Sequence, residues 1–178
     1  MLRIIALLAL LLPEIALAQP GPIPAAMVYT TTNLTTVTSG TAPGAGKLGE
    51  VISSTVLSGS AVTPSNSTAA NVTTVSLTAG HWRCGGLVGQ VVGTGSTSVQ
   101  LLGWISTTSA TLPTPATAGE FSLVLPSATG GSYSASPTGL VYFDFSGTTT
   151  VYLEGYYTLI SGVNPNSLFG SISCERHA

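Results

Sequence analysis

Charge is what this sequence has least of. Among 178 residues only four are Lys or Arg, six are Asp or Glu and two are His. Past residue 18 the charged and imidazole side chains reduce to Lys47, Arg83, Arg176, Glu50, Glu120, Asp144, Glu154, Glu175, His81 and His177. Nucleic-acid binding draws on clustered Lys and Arg, and none cluster here. The same scarcity argues against an anionic membrane surface. Catalysis needs tuned titratable groups, or a metal, at one place. A zinc site asks for three or four His, Cys or carboxylate ligands. His81 is the only histidine inside the expected domain, and His177 lies one residue from the C-terminus. The expectation is no metal, no cofactor and no catalytic residue, with His81 a surface side chain.

Catalytic signatures are missing too. There is no Gly-x-Ser-x-Gly turn, and a Ser-His-Asp set would have to draw on His81 and Asp144 without local support. A glycosidase carboxylate pair would come from Glu50, Glu120, Asp144, Glu154 and Glu175, which nothing in the sequence brings together. Residues 93–98 (Gly-Thr-Gly-Ser-Thr-Ser) lack the Lys and following helix of a phosphate loop. Beyond the N-terminal run no segment repeats apolar residues at helical period, which excludes a helical core.

What is present begins with a secretory pattern. Arg3 precedes an unbroken apolar run over 4–12, and Ala16-Leu17-Ala18 offers a small-residue cleavage site before Gln19. The run is shorter than the roughly 20 residues that span a bilayer. Cleavage after Ala18 removes Arg3 and Glu14 together, so the net charge stays at −2. Residues 19–48 are rich in Pro, Thr and Gly and read as an extended leader. The remainder, 49–178, is long enough for one domain with its own core. Its few charges suggest that part of its surface is covered in a homo-oligomer.

From residue 50 onward β-branched runs alternate with turn residues. The segments 50–57, 61–63, 71–77, 81–92, 98–106, 121–125, 140–145, 149–160 and 167–175 read as about nine short antiparallel strands. Turn signals at 111–115, 130–131, 146–147 and 164–166 separate nearly all of them. This pattern predicts an all-β fold, a two-layer β-sandwich of jelly-roll type.

Side chains alternate across a strand, so parity assigns faces. Trp82, Cys84 and Val88 share one face, as do Leu168, Ile172 and Cys174. Both cysteines of an exported chain thus fall on core-facing positions, and a Cys84–Cys174 disulfide is predicted; two separate buried thiols are the alternative. On 149–160, Val151, Leu153, Tyr157 and Leu159 point inward, while Tyr152, Glu154 and Tyr156 point outward. Tyr152, Tyr156 and Trp104 are the candidate contact surface, since aromatic planes suit subunit contacts and sugar faces. Asn33, Asn66 and Asn71 each begin a glycan-acceptor triplet.

Several runs resemble a family of small β-sandwich tail or virion structural proteins of tailed bacteriophages and prophages. They are 71–82 (Asn-Val-Thr-Thr-Val-Ser-Leu-Thr-Ala-Gly-His-Trp), 104–113 (Trp-Ile-Ser-Thr-Thr-Ser-Ala-Thr-Leu-Pro), 148–153 and 170–172. The resemblance covers roughly 49–176. It implies a structural or surface-binding role, a homotrimer and no catalytic residues. Two features depart from it: the secretory signal, and Arg83-Cys84 where the family pattern has an acidic and an aliphatic residue. A prophage-derived gene turned to an exported role accommodates both, with the added cysteines suited to an oxidising compartment.

The reading is a secreted or periplasmic β-sandwich, alternatively virion-associated, that works by contact. It assembles with itself, touches a cell-surface glycan or envelope protein, and takes neither nucleic acid nor a stable place in the membrane. A pilin-like or cell-envelope adhesin subunit is one alternative. A secreted carbohydrate-active enzyme is the other.

Overall fold

A computed structural model of the chain describes residues 43–113, 121–162 and 165–177, with backbone alone over 121–129. The expected signal ending at Ala18, the leader up to residue 42, the Asn33 triplet and Glu120 lie outside the described residues.

Among the described residues nine strands form: β1 Val51–Val56, β2 Ala70–Leu77, β3 Gly80–Val91, β4 Thr97–Ser106, β5 Phe121–Thr129, β6 Tyr133–Pro137, β7 Val141–Phe145, β8 Thr149–Ser161 and β9 Ser167–Arg176. They make two antiparallel sheets. One runs β1-β9-β3-β6, with β7 also on β3, and the other runs β2-β8-β4-β5. β6 pairs with residues 87–91 of β3 and β7 with 80–84. These two are halves of one strand, broken where the Thr138 side chain takes the Gly86 amide (2.9 Å). Counted so, each sheet has four strands and the chain repeatedly crosses between them. This order is a jelly roll.

Alternation accounts for the core. Trp82, Cys84 and Val88 from β3 and Leu168, Ile172 and Cys174 from β9 face Val75, Leu77, Leu101, Ile105, Val151, Leu153 and Tyr157 from the other sheet. Tyr157 is fully buried, and its hydroxyl reaches the Pro64 carbonyl (2.6 Å), so the phenol keeps a partner inside an apolar layer. Gly103 and Gly155 are register partners on β4 and β8. A Cβ on Gly103 would meet Val88 at 2.8 Å, and one on Gly155 would meet Leu168 at 2.9 Å. The paired glycines make the hollow that seats these two side chains and lets the sheets close.

Cys84 and Cys174 stand directly opposite each other on β3 and β9, and their sulfurs are bonded. The predicted disulfide is present.

The two ends of the sandwich are closed by polar groups. At one end the buried Glu50 carboxylate meets Arg176 (2.9 Å). The Gly46 amide donates to the same carboxylate oxygen (2.8 Å), and the Gly49 amide donates to the Arg176 carbonyl (2.9 Å). Residues 43–49, expected as leader up to 48, are thereby fastened to the domain. At the other end Gln90, Ser98 and Asn166 are fully buried. The Gln90 amide oxygen accepts from Asn166 (2.9 Å) and from the Ser98 hydroxyl (3.2 Å), tying the two sheets together.

Candidate functional site

Each sheet presents an outer face. On the β2-β8-β4-β5 sheet, register sets Tyr156 beside Leu102, Glu154 beside Trp104, and Tyr152 beside Ser106. Register thus brings the three candidate contact residues, Trp104, Tyr152 and Tyr156, onto one face. Trp104 is nevertheless not an exposed contact residue. It is 2% accessible and Glu154 beside it is fully buried, while Tyr152 and Tyr156 are half-buried. Residues 107–113 fold back over this spot after β4. Asn71 on β2 clasps them, its side-chain oxygen accepting from the Ala110 amide (2.8 Å) and its NH2 donating to Ser109 (2.8 Å). Ala110 takes a φ of +46°, a conformation that a Cβ disfavours. The indole N–H of Trp104 donates to one Glu154 oxygen, and the other oxygen, Oε1, has no partner among the described residues.

Burial pushes the Glu154 carboxyl up to about 7, against smaller downward pulls from the Trp104 indole and the Ala110 and Thr111 amides. A carboxyl that holds its proton longer when folded costs stability as pH rises. Below an ordinary carboxylate pKa the two states bind the proton equally. Between there and neutrality only the unfolded chain releases it. The loss reaches up to about 3 kcal/mol above pH 7, at 1.36 kcal/mol per pKa unit. Urea unfolding of wild type and Glu154→Gln at pH 4, 5.5, 7 and 8.5 measures this. The two curves should diverge as pH rises, with the Gln variant the more stable; parallel curves count against an uncompensated buried acid.

The other described carboxylates are dispersed. Glu50 pairs with Arg176, Glu175 with Arg83 (2.6 Å), and Asp144 with His81 across β7 and β3 (3.5 Å, both exposed). No serine hydroxyl bonds to His81 among the described residues. Among those residues no group of three His, Cys, Asp or Glu is placed to hold a metal.

The outer face of the other sheet is where apolar surface is displayed. Among the described residues eight large hydrophobic side chains are exposed: Val51, Leu57, Leu87, Leu112, Tyr133, Leu140, Tyr142 and Ile160. All but Leu112 and Ile160 fall on this face by register and parity. An open groove of about 620 Å³ crosses it between the 3-10 turn Ser58–Ser60 and β9. Phe169 supplies its aromatic surface. A Cβ on Gly89 would lie 2.3, 2.6 and 2.8 Å from three atoms at the tip of the Phe169 ring. Such near-equal distances mean that the ring lies flat over the bare glycine, with its second face turned outward. Tyr133 meets its edge (6.4 Å between centroids). Leu87, Leu57 and the residues Thr55, Ser58, Ser60 and Ser171 complete the lining, and no charged residue takes part. Sequence reasoning missed this surface, because Leu57, Leu87, Tyr133 and Phe169 come from four separate segments and only register brings them together.

No family model and no curated protein matches the chain. Among solved structures, that described as "Structure of infectious bursal disease virus Gx strain" is similar over 72% of this chain, at 13% identity and a TM-score of 0.36. The match covers 30% of that chain, so this protein spans less than a third of its length.

Proposed function

We propose that the protein is a non-enzymatic structural module of the exported or virion-associated kind, which works by contact and assembles with copies of itself. The observation that carries this is the outer face of the β1-β9-β3-β6 sheet. It gathers six of the eight large hydrophobic side chains exposed among the described residues. They are interrupted by the Arg83–Glu175 and His81–Asp144 pairs, which lie on the same face, and exposed apolar side chains gathered on one face mark interaction sites. A net charge of −2 gives little repulsion to overcome on self-association. Light scattering on the chain from Gln19 onward tests the reading. Wild type should show a multiple of the monomer mass, three copies on the phage-type resemblance. Leu140→Ser with Tyr142→Ser should give folded monomer, since both side chains are exposed and neither fills the core. A wild type that stays monomeric at 100 µM (about the concentration where millimolar affinities begin to show) overturns self-assembly.

The groove favours a second, compatible reading: contact with a neutral glycan. A flat aromatic ring rimmed by hydroxyls and free of charge suits the apolar face and hydroxyl edge of an uncharged sugar. Phe169→Ser should abolish retention on a neutral-glycan array while leaving the oligomer intact. Equal retention by both proteins would remove the groove from consideration.

A further inference from the structure

Residues 107–113 cross a face that alternation predicts to be open, and they are held there by a small number of identifiable contacts. Asn71 provides two of them, through Ala110 and Ser109. The turn adds bonds of its own, from the Thr108 amide to the Ser106 hydroxyl (2.9 Å) and from the Thr111 hydroxyl to the Ser109 carbonyl (2.9 Å). Beneath the turn lies a carboxyl group with no cation beside it among the described residues. Facing Glu154 are Asn71 from β2, Trp104 flanked by Leu102 and Ser106 from β4, Tyr152 and Tyr156 from its own strand, and Ser109, Ala110 and Thr111 from the turn. Arg83, Arg176, His81 and His177 all meet carboxylates elsewhere, and Lys47 lies in the turn before β1. The other titratable neighbours are the two tyrosines. The phenol of Tyr156 is held below its ordinary value by the hydroxyls of Thr158 and Ser67.

An uncharged carboxyl tolerates this enclosure, because the Trp104 indole bonds one oxygen and Oε1 has little charge to solvate. An ionised one does not: the Ala110 and Thr111 amides favour it, but burial outweighs their pull and Oε1 has no donor within hydrogen-bond distance among the described residues. Water is the nearest remedy, and the turn is what keeps water out. Lifting it breaks the Asn71 clasp, releases the positive φ at Ala110, and leaves the strands of both sheets in place.

We propose that residues 107–113 are a pH-released strap, closed over the protonated Glu154 and lifted when that carboxyl ionises, so that Trp104 becomes exposed between Tyr152 and Tyr156. The aromatic trio legible in the sequence is then a surface of the open form. Coupling of this kind is reciprocal: whatever opens the strap also makes Glu154 easier to ionise. Upward displacement of the carboxyl to about 7 puts the transition within the physiological range.

The test follows the Trp104 indole N–H and the Ala110 amide by NMR in the intact, oxidised protein from pH 5.5 to 8.5. The indole signal should move through a midpoint near neutrality. Protection of the Ala110 amide, corrected for intrinsic exchange, should fall at least tenfold across the same midpoint, while Leu153 keeps its protection. In Glu154→Gln both should stay constant, and in Tyr156→Phe both should persist. Asn71→Ala, which removes the clasp, should leave Ala110 unprotected throughout and move the indole midpoint down toward an ordinary carboxylate. Constant Ala110 protection in wild type overturns the strap, whether or not the indole titrates. A fall that survives in Glu154→Gln overturns the assignment to this carboxyl. Should Asn71→Ala not fold, the Gln variant decides alone.

Discussion

Replacing Arg176 by Met while keeping Glu50 should lower the unfolding free energy by about 3–5 kcal/mol, the range for removing one partner of a buried ion pair. The two groups are each 6% accessible. The guanidinium is over-determined: Nε reaches Glu50 (2.9 Å), its two NH2 groups donate to the Ala79 carbonyl and the Thr78 hydroxyl, and the plane lies 4.3 Å above the Trp82 ring. The carboxylate has less to fall back on. Without Arg176 it retains, among the described residues, the Gly46 amide. Glu50→Gln should therefore cost less than Arg176→Met, because the guanidinium keeps two acceptors and an aromatic face. The double variant Glu50→Leu with Arg176→Met should recover much of the loss, since it leaves no buried charge unpaired. Urea unfolding at pH 7 of wild type, Arg176→Met, Glu50→Leu and the double variant closes the cycle, with Glu50→Gln measured beside it. Costs below about 1 kcal/mol for either single variant, the size of an exposed pair, would mean that water reaches this end of the sandwich.

This ion pair also marks a boundary of what the sequence discloses. Glu50 and Arg176 stand at opposite ends of the domain sequence, and no local pattern joins them. Strand positions were another matter. Alternation and turn residues place eight of the nine strands within a few residues, because a half-buried strand must repeat with period two. The ninth, β6, is Tyr-Ser-Ala-Ser-Pro, a run with weak β character that holds its place at a sheet edge by pairing with β3. Conversely, 61–63 reads as a strand but forms a single bridge, Val62 to Leu168, with Pro64 ending it. Parity also fixed which face each side chain takes, including both cysteines. It cannot tell whether a face is covered. Trp104 and Glu154 are buried by a turn that is mostly Thr, Ser and Ala, and its large hydrophobic residue, Leu112, is itself exposed. The groove on the opposite sheet was hidden for the complementary reason: its parts are legible singly, and only β1-β9-β3-β6 register assembles them.

Removing both cysteines, as Cys84→Ala with Cys174→Ala, should cost roughly 4 kcal/mol and lower the melting temperature by about 10–20 °C. The bridge closes a segment of 90 residues, from the middle of β3 to the end of β9. In the chain-entropy account a loop that long restricts the unfolded ensemble heavily, while the folded state gains little, since β3 and β9 are already paired along ten positions. Packing adds a second contribution. Both cysteines are fully buried against Trp82, Val141 and Ile172 in one apolar cluster, so Ala leaves small voids. Cys84→Val with Cys174→Val restores much of that volume and should recover only the packing part, leaving the entropic loss in place. Because both side chains are fully buried, dithiothreitol at neutral pH should reduce the native protein only as fast as it unfolds. Thiol labelling should thus stay flat in buffer and rise with urea. A Val pair as stable as wild type would show that the bridge constrains little. Rapid reduction of the folded protein would place the sulfurs within reach of solvent, and the double-layer core around them would need a different packing.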